Sequence, residues 1–587
     1  MRPEMTPAES GSGRLIAPKF ALPVLYIVVL ALLAYRMTIG VDLTDESYYV
    51  TFLDDWLKDR LGHGENLVVH QTAALLMFPA ARLYVWIVGS ERGLVLFLRF
   101  VFLAMACAAS QCQFRFVRTV RDEAVAWSSA LLVLCFIPFS LPAPSYNTIG
   151  MFGMLSALAL FGVAALPRQM GAYAAAPAIS SGIAWMVTVL AYPTLAAALL
   201  ALLAMALLGA RDRGERVAVL RYAIVCSFFQ LCGACLLLAV FGWARLWQIA
   251  RFSSTALQNP EYLDAKFAKS VELFTGHPAF GALCLAGGAL GVWLLVAGRD
   301  RSRAIWPSLL VAALVSLSYA TGPALWFPPH DIVVLLVLIG PFALSSESGP
   351  AARAIYVASV VGGVMTAASS SNGFYNFPIG GLAAAALASS LVTPRDAPRN
   401  AVAAQCSMML LTATLFATST FANLYGEFPN PLTARAVRIE GGPFAGLLTN
   451  VDQAAFIAAA TAALGRRGGC GKEIVVMGRA AGIYLLTDAS PMAPSTFDYW
   501  QFYGGLPPQM EELMEAFYRI PAHQPDVVAV FIDPRTYPLA PWARDLLSGY
   551  IEADHVAVGS WSLSLYERCK APACAARAKV PNPGAPP

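Results

Sequence analysis

Two adjacent carboxylates, Asp45 and Glu46, follow the first long apolar run within about five residues, where a bilayer interface would begin. A carboxylate beside a low-dielectric boundary has its pKa raised and can take a proton from a hydroxyl. Tyr48 and Tyr49 follow directly, a pair suited to an interface or to stacking on a sugar ring. The segment 41–66 holds seven acids against two bases. Asp54, Asp55, Lys58 and Asp59 read most simply as the solvated face of an amphipathic helix whose apolar face is Phe52, Leu53, Trp56 and Leu57.

Other polar residues stand at the ends of apolar runs. His70 either contacts a phosphate or sits at the interface. Arg99 lies inside a span, where a charge is costly and faces a cavity or a partner. It can hold a lipid phosphate, pair with an acid, or snorkel. Tyr146 and Asn147 follow Pro142 and Pro144 at a helix start, where they line a cavity or cap the helix. His330 and Asp331 follow Pro328 and Pro329, and Asp331 suits a cap or dipole partner. Asn372 and Asn376 lie in a polar loop, 368–376, within reach of a sugar. Tyr192-Pro193 reads as a tight turn between spans. The bases Arg245, Arg251, Lys266 and Lys269 suit a phosphate or anionic headgroups equally.

These residues need a membrane scaffold. The chain has 587 residues, 58% hydrophobic and 13% charged, and a mean hydropathy of +0.60. Charge at half the ~25% of soluble domains cannot cover a globular surface, so lipid is the solvent for most of the length. The net charge of +4 gives no reason to expect a nucleic-acid partner. There is no Walker motif, no G-x-G-x-x-G and no Ser/His/Asp arrangement, which removes a nucleotide-driven pump. Of 11 Cys, eight lie in apolar runs as small core residues. Cys470, Cys569 and Cys574 lie in the tail, where Cys569–Cys574 is the obvious short loop.

The run from Phe20 to Gly40 is long enough to cross and carries no cleavage motif, so it reads as a retained first helix. Spans follow near 92–112, 124–141, 149–166, 173–191, 194–209, 218–242, 279–298, 306–321, 330–345, 352–369, 376–392 and 402–419. That is an α-helical polytopic membrane protein of about 13 transmembrane helices. Arg115/Arg118/Arg121, Arg168, Arg211/Arg213/Arg216, Arg299/Arg301/Arg303, Arg353 and Arg395/Arg399 alternate with loops lacking Lys and Arg. The positive-inside rule then puts the N-terminus in the cytoplasm and the C-terminus outside. Segment 67–89 is also apolar, but His70, Pro79 and Arg82 interrupt it, and counting it would put Arg115–Arg121 outside. It reads as interfacial or re-entrant.

The expected division is a transmembrane domain over 1–419, with a first outer loop at 41–91, and a periplasmic α/β domain over 420–587. The tail carries 13 Lys/Arg against 15 Asp/Glu. Strand-like runs at 473–478, 527–533 and 555–566 alternate with helical patterns at 451–464 and 509–519. The last residues, KVPNPGAPP, read as a disordered end.

A first span followed at once by Asp45-Glu46-Ser47-Tyr48-Tyr49 resembles the GT-C superfamily of integral-membrane glycosyltransferases. The nearest branch holds the protein O-mannosyltransferases and the lipid A aminoarabinose transferase. The resemblance implies a sugar donor on a polyprenyl phosphate and a lipid, glycan or protein acceptor. It implies Asp45 as the base, inversion at the anomeric carbon, and Glu46 orienting the acceptor or holding a metal. Mg²⁺ or Mn²⁺ would suit such oxygen ligands, though nothing in the sequence demands one. Relatives often carry His-Pro-Pro-Leu after the acidic pair, where this chain reads Val69-His70-Gln71-Thr72. The expected setting is a bacterial inner membrane, with membrane lipids around the bundle. The alternatives are a secondary transporter or lipid flippase, disfavoured because the acids cluster at the boundary rather than at the midplane, and a polysaccharide polymerase or ligase.

Overall fold

A computed structural model describes residues 17–60, 66–165, 175–257, 268, 271–272, 275–297, 305–321, 328–344, 349–370, 372–425, 432, 435–497, 508–532, 539 and 541–569. Cys574, Lys266, Lys269, Arg168 and Arg299/Arg301/Arg303 lie outside the described residues.

Each of the thirteen apolar runs is a helix: α1 (Ala17–Met37), α4 (Leu94–Val120), α5 (Glu123–Cys135), α6 (Tyr146–Ala165), α7 (Ala175–Ala191), α8 (Ala196–Gly209), α9 (Arg213–Leu257), α10 (Pro278–Ala297), α11 (Ile305–Ala320), α12 (Pro328–Ala343), α13 (Gly349–Ser369), α14 (Phe377–Leu391) and α15 (Arg399–Ala422). Between α1 and α4 come α2 (Asp45–Asp55), a π-turn (Trp56–Arg60) and α3 (Gln71–Val88). Among the described residues, eight helices are long and apolar enough to cross a membrane, by length and composition. Seven are from the thirteen; the eighth is α3, which reads as interfacial from its sequence.

Side-chain contacts sort the helix ends into two groups. At one end, Arg36 of α1 donates to the carbonyls of Ile39, Ser140 and Thr420, gathering the ends of α1, α5 and α15. The starts of α6 and α12 and the ends of α7 and α13 lie at this end too, through Tyr146–Tyr192, His330–Phe139 and Thr194–Ser369. At the other end, Arg121 after α4 donates to Ser390 O in α14, and Gly209 of α8 abuts Pro350 of α13. Neighbouring helices approach through small residues, the packing that lipid favours. A Cβ on Gly380 would fall 2.1 Å from the Gly362 carbonyl carbon.

α3 departs from the bundle pattern. Leu67, before it, donates to Pro494 O, and Gly93, after it, donates to Gly442 O. Both its flanks are thus held by the tail. α9 breaks at Gly242 (φ 69°), and beyond the break Arg245 donates to Asn66 O.

The tail starts with a two-stranded ribbon, β1 (Ala436–Arg438) and β2 (Leu448–Asn450), and Ile39 at the exit of α1 bridges to Leu448. Helix α16 (Val451–Arg467) follows, capped by Asn450, whose Oδ1 accepts from Gln453 N at 2.9 Å. A five-stranded sheet has the order β4-β3-β5-β7-β6. β3 (Glu473–Met477) pairs parallel with β4 (Ser490–Pro491) and β5 (Val527–Ile532), whereas β6 (Tyr550–Val558) and β7 (Trp561–Arg568) form an antiparallel hairpin beside β5. Helices α17 (Pro508–Arg519) and α18 (Pro541–Leu547) complete it. The run 555–566, one strand by its pattern, is therefore the turn and inner halves of a hairpin, because Gly559 (φ 57°) reverses the chain.

One hydrophobic core joins the first loop to the tail. Val41, Tyr48, Phe52 and Trp56 of the loop and Phe456, Ile483, Tyr484 and Val527 of the tail belong to the same buried cluster. α2 is clamped between α3 and the 3₁₀ turn Ala481–Leu486. This overturns the solvated face expected for Asp54, which is buried and ion-paired to Lys58 at 2.8 Å.

Candidate active site

The turn 41–46 carries the acids. Asp42 is buried and serves as the cap of α2: its Oδ1 accepts from Thr44 N at 2.8 Å and Thr44 Oγ1 at 2.6 Å, and its Oδ2 from Glu46 N at 2.7 Å. Asp45 opens the helix, where a negative charge suits the N-terminal dipole.

The two predicted catalytic acids have different surroundings. Glu46 is buried and its two oxygens are taken by Arg99, through Nε at 2.7 Å and Nη2 at 2.6 Å. Arg99 Nη1 spans the carbonyls of Met37 and Ile39, both at 3.0 Å. Of the three uses open to Arg99, the structure realises pairing with an acid. Its guanidinium is engaged by Glu46 and the α1 exit. Glu46 in turn holds the loop to α4.

Asp45 is half-buried at the rim. Its Oδ2 accepts from Tyr425 Oη, a residue just past α15, and from Thr44 Oγ1 at 3.4 Å. Burial, then the neighbouring Asp42, push its carboxyl up to about 6; Tyr425 and Arg479 oppose this. A carboxylate with that pKa is largely ionised at neutral pH yet still a competent base.

Beside Asp45 runs an aromatic wall. Tyr48 Oη lies 3.2 Å from His70 Nδ1, and the His70 ring stacks on Tyr146 with centroids 4.1 Å apart and planes 11° apart. Tyr49 packs on Tyr146, and Tyr146 on Tyr192. Burial lowers His70 to about 4, so its imidazole is neutral at physiological pH. Asn147 accepts from Asn376 Nδ2 at 3.2 Å behind this wall. A small cavity lined by Glu46, Tyr49, Met77, Leu98 and Pro144 lies beneath it.

Two further expected residues make other contacts. His330 accepts from Phe139 N at 3.2 Å and hydrogen-bonds Tyr375 O at 2.8 Å, pinning a turn in which Phe139 and Ser140 both have φ 56°. Both ring nitrogens are engaged by backbone, so this is a clamp. Asn372 precedes the 3₁₀ turn Gly373–Asn376, and Asn376 at the end of that turn makes the contact to Asn147. The sequence reasoning missed Tyr425, Arg479, Asp42 and Tyr192. Only Asp42 carried a local signal, an Asp two residues before a Thr at a helix start.

A divalent metal does not fit this donor set. Both oxygens of Asp42 and of Glu46 are engaged by protein donors, as is one of Asp45. Among the described residues, no group of three or more His, Cys, Asp or Glu could hold an ion.

No family model matches the chain, and no curated protein matches it. It is similar to several solved membrane proteins. One is archaeal oligosaccharyltransferase AglB from Archaeoglobus fulgidus, in complex with an inhibitory peptide and a dolichol-phosphate. That likeness has a TM-score of 0.48 and 13% identity, covering 94% of this chain and 75% of that one. The same enzyme with Zn and sulfate gives 0.49 and 12%, covering 92% and 73%. ArnT from Cupriavidus metallidurans in the apo state gives 0.43 and 12%, covering 93% and 98%.

Proposed function

We propose that this protein transfers a sugar from a polyprenyl-phosphate-linked donor to an acceptor hydroxyl at the outer face of a bacterial inner membrane. The observation that carries the reading is Asp45: a half-buried carboxyl raised to about 6 beside an aromatic wall, at the seam of loop and tail. Asp45 takes the hydroxyl proton, the acceptor oxygen bonds to the anomeric carbon, and the bond to the lipid phosphate breaks with inversion. Tyr49, His70, Tyr146 and Asn147 line the sugar side, with Tyr48 holding His70. Asp42, Glu46 and Arg99 fix the turn.

Thirteen crossings are supported by the sorting of helix ends, since α1 and α15 finish together beside Ser140. α3, held at both flanks by the tail, lies along one face. The Arg-rich connections at the far end from Asp45 support a cytoplasmic N-terminus and a periplasmic tail.

The test is glycan and glycolipid profiling of cells with the wild-type protein, without it, and with Asp45→Asn. The same missing sugar in the deletion and the point mutant supports transfer and names the product. Full rescue of the deletion by Asp45→Asn refutes it and moves transport ahead.

A further inference from the structure

The base has two oxygens in unequal surroundings. Oδ2 accepts from Tyr425 Oη, while Thr44 Oγ1, whose proton goes to Asp42 Oδ1 at 2.6 Å, lies 3.4 Å from it. Among the described residues, Oδ1 has no protein donor. Tyr425 stands 380 positions away, at the junction where α15 gives way to the tail. It is buried to the degree that its own hydroxyl is held far above the usual phenol value, chiefly by burial and then by Asp45. A phenol that stays protonated throughout the working range is a fixed donor, and it donates only toward Oδ2.

We infer that Tyr425 is the positioning residue of the proposed base: by occupying Oδ2 it turns Oδ1 toward the acceptor, and it makes the base competent only when the tail is seated on the first loop. This rests on the transferase reading given above. The proton from the acceptor hydroxyl goes to Oδ1 as the acceptor oxygen bonds to the anomeric carbon, and the lipid phosphate leaves with the electron pair. Tyr425 gives up no proton in the step. Its hydrogen bond favours the ionised form of Asp45, against Asp42 in the same turn and with Arg479 from the tail. Tyr49 and Tyr146, the other titratable groups facing Asp45, are neutral donors or stacking surfaces. The tail therefore sets how basic Asp45 is as well as where it points.

The seam offers a mechanism for that dependence. Gly482 packs so closely on the loop that a Cβ there would meet Leu43 Cδ2 at 2.7 Å and Ser47 Oγ at 2.9 Å, and Gly482 N donates to Leu43 O at 2.8 Å. Ribbon β1–β2 hangs from the α1 exit through Leu448. Tyr425 is thus held between two fixed points, α15 behind it and the ribbon ahead.

The test uses the full-length protein in lipid nanodiscs with Tyr425→Phe, which removes one oxygen. The carboxylic C=O stretch of Asp45, assigned by its absence in Asp45→Asn, is titrated by infrared difference spectroscopy. Losing one hydrogen bond to a charged acceptor should raise the midpoint by about one pH unit. Fluorotyrosine at position 425, a stronger donor, should lower it. With membrane-extracted glycolipid as donor, transfer by Tyr425→Phe should already be slower than wild type at pH 8, where only the aim of Oδ1 is lost, and about tenfold slower again at pH 5, where the raised pKa adds to it. An unmoved midpoint, or a loss uniform across pH, overturns the inference. The infrared titration needs no substrate, so it stands or falls separately from the transferase reading, which Asp45→Asn tests.

Discussion

Removing Arg99 separates a structural pair from a substrate contact. Both side chains of the Arg99–Glu46 pair are 2% exposed, and the guanidinium also satisfies two carbonyls at the α1 exit. Arg99→Met leaves Glu46 buried without a partner, and breaking such a pair costs about 3–5 kcal/mol. At an unfolding entropy of ~2.1 cal/mol/K per residue, a chain this long would lose about 2–4 °C in Tm if it unfolds as one unit. Burial is the main influence raising Glu46, and Arg99 the main one opposing it, so without Arg99 the carboxyl takes up a proton and part of that loss is recovered at low pH. The double variant Arg99→Met/Glu46→Leu leaves no orphaned charge and should regain most of the lost Tm. Thermal unfolding in detergent by intrinsic fluorescence measures the wild type, Arg99→Met, Glu46→Leu and the double variant. Additive losses in the double variant would refute the pairing and return Arg99 to the substrate.

Asp45→Asn should abolish transfer while leaving insertion intact, whereas Asp54→Asn should keep activity. An inactive Asp54→Asn beside an active Asp45→Asn would sink the assignment of the base. Because Asp45 must be ionised to act, the wild-type rate should rise with pH through about 6 and level off above 7; a profile flat from pH 5 to 8 contradicts this. Gly482→Val should unseat the tail, since the new side chain meets the Leu43 backbone as well as its side chain, with Cα at 3.0 Å; limited proteolysis would read it as faster cleavage between 423 and 450. A reporter fused after Pro587 should read as periplasmic, and a cytoplasmic signal would overturn the thirteen-span topology.

The helices were legible because lipid imposes a simple rule: twenty apolar residues between polar breaks. The place of Asp45 just past the first span was legible for the same reason, since that position is local. What the sequence concealed is non-local. Tyr425 looks like any tyrosine after a span until the fold brings it to Asp45. Asp54 carries the alternation of a surface helix, yet the tail covers that surface. Glu46 and Arg99 each had a functional reading in isolation, and only their 2.6 Å approach assigns them to one another. The hairpin at 550–568 was misread because its turn, Gly559-Ser560, sits inside a run whose alternation continues across it.

The bond between Tyr425 and Asp45 also orders events during synthesis. At about 5–20 residues per second, the 380 positions between them take roughly 20–75 s to emerge. Arg99 reaches Glu46 within the first helical hairpin, so the buried ion pair forms early. The apolar side of α2 that faces the tail must wait, uncovered, for residues 456–484 to be made. A nascent chain stalled anywhere in the bundle would thus display a sticky, acid-rich loop with no lid. Chaperones or the bilayer surface must shelter it for most of the time the protein takes to be made, and truncations upstream of α16 should be recognised and degraded rather than accumulate.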